Sequence, residues 1–280
     1  MSNTALARPR RSRPSILAAK AAAEPPRREF VQSIERGFAV IKAFSSQPES
    51  LTIADVSRRT GLSRAVSRRF LLTLAELGYV ANDAGDFRLT PQVLDLGFTF
   101  LSTMRLPYVA EPVMQELVST LQESCSVSVL DGEDIVYVAR VPAKRIMSIA
   151  LAVGTRLPAY PTSMGRVLLA ALDPKAFDAY LAAATLRPLT SRTITDKLQL
   201  RRVVSKVRER GWAAVDQEVE MGLRSVLAPI RDSSGRTVAA INLSSHVSRV
   251  NLKDLKTRHL PAVIQAATRI SAMLGAPART

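Results

Sequence analysis

The spacing of apolar and polar positions changes period several times along the chain, and each change marks an element. Helical spacing comes first at Ile34, Phe38, Ile41 and Phe44, which share one face of a helix opened by Ser33 and ended before Gln47-Pro48. From Leu51 to Val80 the pattern predicts two helices around a glycine turn. Thr52 caps the first helix, with Asp55 three residues on to complete a capping box. Gly61 sits where that helix must stop, and Ser63 caps the next. In the second helix Val66, Phe70, Leu74 and Leu77 are spaced to form one buried stripe. After Gly78 the segment YVANDAGDFRLT alternates as two short strands around an Asn82–Asp86 turn. Three helices closed by a β-hairpin predict a winged helix over residues 30–90.

Pro91 to Thr103 predicts a further helix, with apolar residues at 93, 94, 96, 98 and 101. One small domain cannot cover that much apolar surface, so residues 91–104 are expected to link two domains and to pack against a second subunit. From residue 105 to 277 the grammar becomes mixed. A helix over Pro107–Glu123 precedes a hairpin, VSVL and IVYVARV, joined at Asp131-Gly132. RIMSIALAV predicts a third strand, and helices follow at roughly 163–172, 174–183 and 196–210. Strands return at 212–215, 225–231 and 236–244, before a final helix over about 253–274. This order predicts an α+β effector-type domain: an antiparallel sheet with helices on both sides. Residues 1–29, rich in Arg, Pro, Ala and Ser, are expected to form a disordered basic arm.

Charge changes what the helical pair means. Arg64 and Arg68 point away from the predicted stripe, with Ser67 and Arg69 on its flanks. Between Ser57 and Arg69 there are five arginines and no acid. A helical hairpin with basic residues is often only a solvated pair. Guanidinium forks at the start of a second helix, however, are what guanine edges and phosphates require in the major groove. Arg88 on the wing is placed to approach phosphate. The candidate DNA-contacting residues are therefore Thr52, Ser63, Arg64, Ser67, Arg68, Arg69 and Arg88. The net charge of +15 suits polyanionic partners but is spread out. Residues 1–29 hold seven basic groups against two acids, residues 30–90 eight against six, and residues 91–280 twenty-four against sixteen.

Composition narrows the remaining classes. One cysteine, Cys125, excludes an internal disulfide, and two histidines make a Cys/His metal site unexpected. No apolar run approaches the ~20 residues of a membrane span, and no secretory leader is evident, so a cytoplasmic protein without a membrane partner is expected. The chain lacks GxSxG, GxGxxG, P-loop, CxxC and HExxH patterns, and His246 and His259 have no evident nucleophile beside them in sequence. No catalytic residue, metal or cofactor is therefore expected. An enzyme acting on small acids with an appended nucleic-acid module is the competing class, and an architectural DNA-binding protein is a third.

SIERGFAVIKAF, LTIADVSRRTGLSRAVSRRFLLTLAELGYV and FRLTPQVLDLG in the first domain carry a strong resemblance, as do VLDGEDIVYVARV, GTRLPAYPTSMGRVLLAAL and RERGWAAVDQEVEMGLRSVLAPIRDSSGRTVAAINLSSH in the second. Together they resemble the IclR family of bacterial transcription regulators, from about Phe30 to the C-terminus. GLSRAVSRRFLLTL and LPAYPTSMGRVLLA look most similar to regulators of the β-ketoadipate and protocatechuate pathways of aromatic catabolism. The resemblance implies a winged-helix domain followed by a GAF-like domain that binds a small aromatic acid or dicarboxylate. It implies a homodimer or dimer of dimers on a palindromic double-stranded operator. Family members include repressors and activators, the latter with RNA polymerase as a further partner.

An acid taken out of water needs its charge neutralised or heavily hydrogen-bonded. In Pro161-Thr162-Ser163-Met164-Gly165, Thr162 or Ser163 caps a helix whose free N–H groups favour anions, while Gly165 allows close approach to backbone. An ordinary capped helix start is the plain alternative. Alternation in AAINLSSH puts Asn242 and Ser244 on one face, opposite Ile241 and Leu243. Their match to the family's effector-contact strand implies a pocket rather than a wet face. Ser225 and Asp216 also match effector-site positions, although an acid at 216 more often forms a turn. Met147 and Ile149 are candidates for an apolar wall, or for plain core.

Overall fold

The computed structural model describes residues 30–45, 49–143 and 151–277. They fall into two compact units divided between Phe100 and Leu101.

In the first unit, α1 (Gln32–Lys42), α2 (Ile53–Thr60) and α3 (Arg64–Glu76) precede a two-stranded wing, β1 (Val80–Asp83) and β2 (Asp86–Leu89). The caps form as the sequence dictates. The Thr52 hydroxyl accepts from the Asp55 amide while the Asp55 carboxylate accepts from the Thr52 amide, and Ser63 accepts from the Val66 amide. Gly61 ends α2 at φ 76°, in the left-handed region that a residue without Cβ adopts freely. Ala84 and Gly85 both have positive φ, the mark of a tight two-residue hairpin turn. Leu51 and Phe87 exchange backbone hydrogen bonds of 2.8 and 2.9 Å, which pins the wing to the chain entering α2. Val40, Leu51, Val56, Leu71, Leu74, Val80 and Phe87 form the core.

Two expectations for this unit require correction. The buried stripe of α3 runs through Ser67, Leu71 and Leu74, with Val66 and Phe70 on its shoulder, whereas Leu77 at the C-cap is 56% exposed. On α1 the core side chain is Val40, while Ile34 and Phe38 stay exposed. Gly37, not Phe38, stands against the Phe70 ring of α3, where a Cβ would lie at an ordinary contact distance of 3.9 Å.

A 3-10 turn (Pro91–Val93) leads into α4 (Leu94–Thr103), on which Leu94, Leu96, Phe98 and Phe100 are exposed.

The second unit is built on a six-stranded antiparallel sheet in the order β5-β4-β3-β8-β7-β6. Its strands are β3 (Ser124–Asp131), β4 (Asp134–Val141), β5 (Arg156–Pro158), β6 (Ala213–Asp216), β7 (Leu223–Arg231) and β8 (Thr237–His246). Residues 145–150 of the expected strand RIMSIALAV lie outside the described residues, and its described end, Leu151–Val153, is not strand; Arg156–Pro158 pairs with β4 instead. One face of the sheet packs on α5 (Arg105–Leu121) and on the C-terminal helix. The other packs on α6 (Ser163–Ala171), with α7 (Pro174–Ala183) and α8 (Lys197–Arg210) completing that layer. The C-terminal helix runs from Leu252 to Met273 through a π turn at Leu255–His259; Pro261, which has no N–H to give, stands at the start of its last segment, Leu260–Met273.

Candidate functional sites

On the first unit, Arg64, Arg68 and Arg69 of α3 and Arg88 of the wing are all exposed. Thr52 and Ser63 are exposed too, at the N-termini of the two helices. Ser67 is not. It is fully buried in the stripe of α3, and its hydroxyl finds no partner among the described residues, so it cannot touch DNA. The Asp55 carboxyl is held below its usual range, first by the Thr52 hydroxyl that donates to it.

On the second unit a cavity of about 270 Å³ opens on the α6 face of the sheet. Six predicted residues converge on it: Thr162, Ser163 and Met164 from the start of α6, Ser225 from β7, and Asn242 and Ser244 from β8. Strand register explains the convergence. Ser244 pairs with Ser124 on one side and with Ser225 on the other, so three neighbouring strands present a row of hydroxyls. Ile241 and Leu243 point the other way, into the core under α5. The Ser225 hydroxyl lies 2.7 Å from that of Ser163, and Ser128 donates to the Met164 sulfur at 3.2 Å. The Asn242 amide nitrogen donates to Ser244 at 3.0 Å, while its oxygen has no partner among the described residues. That buried acceptor suits a ligand hydroxyl.

Other predictions for this site change. Asp216 does not line the cavity: Arg192 approaches it at 2.8 Å and Arg224 at 3.0 Å, leaving it no free lone pair aimed at a ligand. Gly165 serves packing, because a Cβ there would stand 2.0 Å from the Ala159 carbonyl oxygen. Met147 and Ile149 lie outside the described residues. Arg166 is buried and forms a two-pronged ion pair with Glu218, at 2.8 and 2.5 Å.

Tyr137, Arg140, His246 and Arg249 also line the cavity, and the sequence reading did not single them out for it. Strict alternation would send Tyr137 and Arg140 to opposite faces. A bulge shifts the β3–β4 register so that Ser128 pairs with Tyr137 and Ser126 with Arg140, while Val138 and Ala139 both enter the core. Arg140 donates to the Ser126 hydroxyl at 3.1 Å, a neutral partner, and loss of water pushes its pKa down. Arg249 is matched with the buried Glu123. Burial raises the Tyr137 hydroxyl to about 12, so it stays protonated at neutral pH. Among the described residues no group of three acids, histidines or cysteines is arranged to hold a metal ion, and no helix is long and apolar enough to cross a membrane.

A helix-turn-helix with an exposed arginine row, followed by a sheet domain enclosing a polar cavity, defines a DNA-binding regulator with a sensor domain. Comparison with known proteins makes this specific. Residues 33–84 match the IclR helix-turn-helix domain, and residues 98–272 match the bacterial transcriptional regulator IclR C-terminal domain. The chain belongs to the IclR family of transcription regulators. It is 45% identical over 239 residues to the Pca regulon regulatory protein of Pseudomonas putida, covering 85% of this chain and 82% of that protein. The crystal structure of a Rhodococcus sp. RHA1 protein, 51% identical, matches with a TM-score of 0.79 over 88% of this chain and 98% of the other. The inducer-binding domain of PobR from Acinetobacter, solved as a double mutant with 3-hydroxybenzoic acid, is 31% identical with a TM-score of 0.57. That match covers 60% of this chain and 98% of that domain.

Proposed function

We propose that this regulator controls genes of aromatic-acid catabolism in response to a small hydroxylated aromatic acid bound in the α6-face cavity. The observation that carries the reading is the pairing of Arg140, which forms no ion pair among the described residues, with the buried Asn242 oxygen in one cavity. A carboxylate needs the first and a hydroxyl the second. The capped start of α6 adds amide dipoles on the same side. The relatives named for the Pca regulon and for PobR support the substrate class.

Arg64, Arg68, Arg69 and Arg88 meet operator DNA in this reading, with Thr52 and Ser63 at the helix starts beside phosphates. Residues 30–90 form the DNA-binding domain, 91–104 the linker and 105–277 the sensor, in a cytoplasmic protein without catalytic activity. The exposed apolar side chains of α4 pair two copies, so that two recognition helices address a palindromic operator about one DNA turn apart. Effector binding shifts the balance between two dimer arrangements by a few kcal/mol. The deciding experiment is a mobility shift on the DNA upstream of the gene, titrated with protocatechuate, p-hydroxybenzoate, β-ketoadipate and cis,cis-muconate. An acid-dependent change in the shift is expected; operator binding indifferent to all four, or turnover of any of them, overturns the reading.

A further inference from the structure

Surplus positive charge lies mostly outside the helix-turn-helix. Residues 30–90 hold eight basic groups against six acids, and residues 91–280 twenty-four against sixteen. The surplus is densest on α8, whose sequence KLQLRRVVSKVRER sets six basic side chains against the single acid Glu209. All six are exposed, while Leu200, Val204 and Val207 turn the other face inward.

Four of the six bind the protein itself. Arg201 pairs with Asp178 at 2.7 Å, and Lys197 donates to the Ala182 carbonyl. Arg208 donates to the carbonyls of Ala170 and Leu172, and Arg210 to that of Trp212. Of these partners only Asp178 carries a charge, so the other contacts leave the positive charge of the helix in place. Arg202 and Lys206 make no hydrogen bond or ion pair among the described residues. They stand four residues apart, with Arg210 four further on, so the three form a row along one ridge of the helix, about 6 Å of rise between neighbours. Helix stability gives no reason for that row. Like charges at this spacing repel, whereas a glutamate in place of Arg202 would pair with Lys206. Partial burial and the nearby Arg166 already disfavour the charge on Arg210 at the row's end. A line of exposed cations without an aromatic anchor suits the regular charges of a duplex backbone better than the centre of a protein interface.

We infer that the outer face of α8 is a second DNA-contacting surface, meeting the phosphate backbone of the duplex beyond the operator without reading its sequence. The inference rests on operator binding by the helix-turn-helix and is independent of the effector reading.

The full-length protein is titrated by mobility shift against two duplexes from upstream of the gene. One is trimmed to the operator, and the other carries about two extra helical turns on each side. The longer duplex should bind more tightly, and its affinity should fall more steeply as salt rises. Arg202→Gln/Lys206→Gln keeps good helix formers in α8. It should lose about tenfold in affinity for the longer duplex and lower the salt slope by about 2, one for each phosphate contact, while the trimmed operator binds as before. Lys253→Gln/Lys256→Gln removes the same charge from exposed positions elsewhere in the second unit and should change neither. A wild type indifferent to flank length, equal weakening of the α8 variant on both duplexes, or an equal loss in the Lys253/Lys256 variant would each overturn the inference. An α8 variant that matches the wild type on the longer duplex also overturns it, and leaves the row for an acidic protein surface. A wild type that binds neither duplex overturns the operator reading as well.

Discussion

The Ser225 hydroxyl donates to the Ser163 hydroxyl across 2.7 Å, tying β7 to the first turn of α6 at the cavity wall. Both oxygens keep lone pairs that can accept a hydrogen bond, and both residues are buried. Ser225→Ala removes only the hydroxyl oxygen and with it the link. Isothermal titration should show effector affinity falling, while anisotropy with labelled operator shows unchanged DNA binding.

Ser244→Ala tests the hydroxyl row from its centre. It should blunt the effector response, again without loss of operator binding; a variant that no longer binds DNA would speak for a structural role instead.

Arg68 is exposed on α3 and makes no hydrogen bond or ion pair among the described residues. Arg68→Ala should cost about 1–3 kcal/mol of operator affinity and relax base preference at one position if it reads a base edge. Uniform weakening across operator variants, with a shallower salt dependence, would mark it as a phosphate contact.

The Arg166–Glu218 pair is buried on both sides, and Glu218 also accepts from the Ile194 amide at 3.1 Å. Glu218→Ala leaves a guanidinium without its counter-charge in the interior. A loss of about 3–5 kcal/mol in denaturant unfolding is expected.

The Thr52–Asp55 box gives the helix-turn-helix a pH dependence. The folded Asp55 carboxyl titrates below its ordinary value of 3.8, so its contribution is complete above that value and fades as pH falls through the lower, folded one. Thr52→Ala should cost about 1 kcal/mol at neutral pH. Asp55→Asn should flatten acid unfolding of the first unit, followed by circular dichroism below pH 4.

Much of this was legible because local chemistry and tertiary structure agree. Caps, turn glycines and alternation placed α2, α3, the wing and β8 within a residue or two, and the hydroxyls of β7 and β8 fell on the expected face. What escaped has physical causes. Ser67 is small enough for the core to accept, and a helical count centred on larger side chains set the stripe to one side of it. Asp216 is claimed by Arg192 and Arg224, which converge on it from other elements and are not adjacent to it in sequence. Arg140, one of the arginines on the cavity wall, is visible as a lone charge in the apolar run IVYVARV. Only the bulge at Val138 turns it toward the cavity, and nothing in that run announces a bulge.

The row Ser124–Ser244–Ser225 sits on strands whose alternate residues, Cys125, Leu243 and Val226, anchor the opposite layer. Along this row the cavity wall and the core under α5 lie on opposite sides of one sheet. A lineage can exchange these hydroxyls for methyls, amides or thiols and acquire a taste for another acid, leaving the scaffold beneath undisturbed.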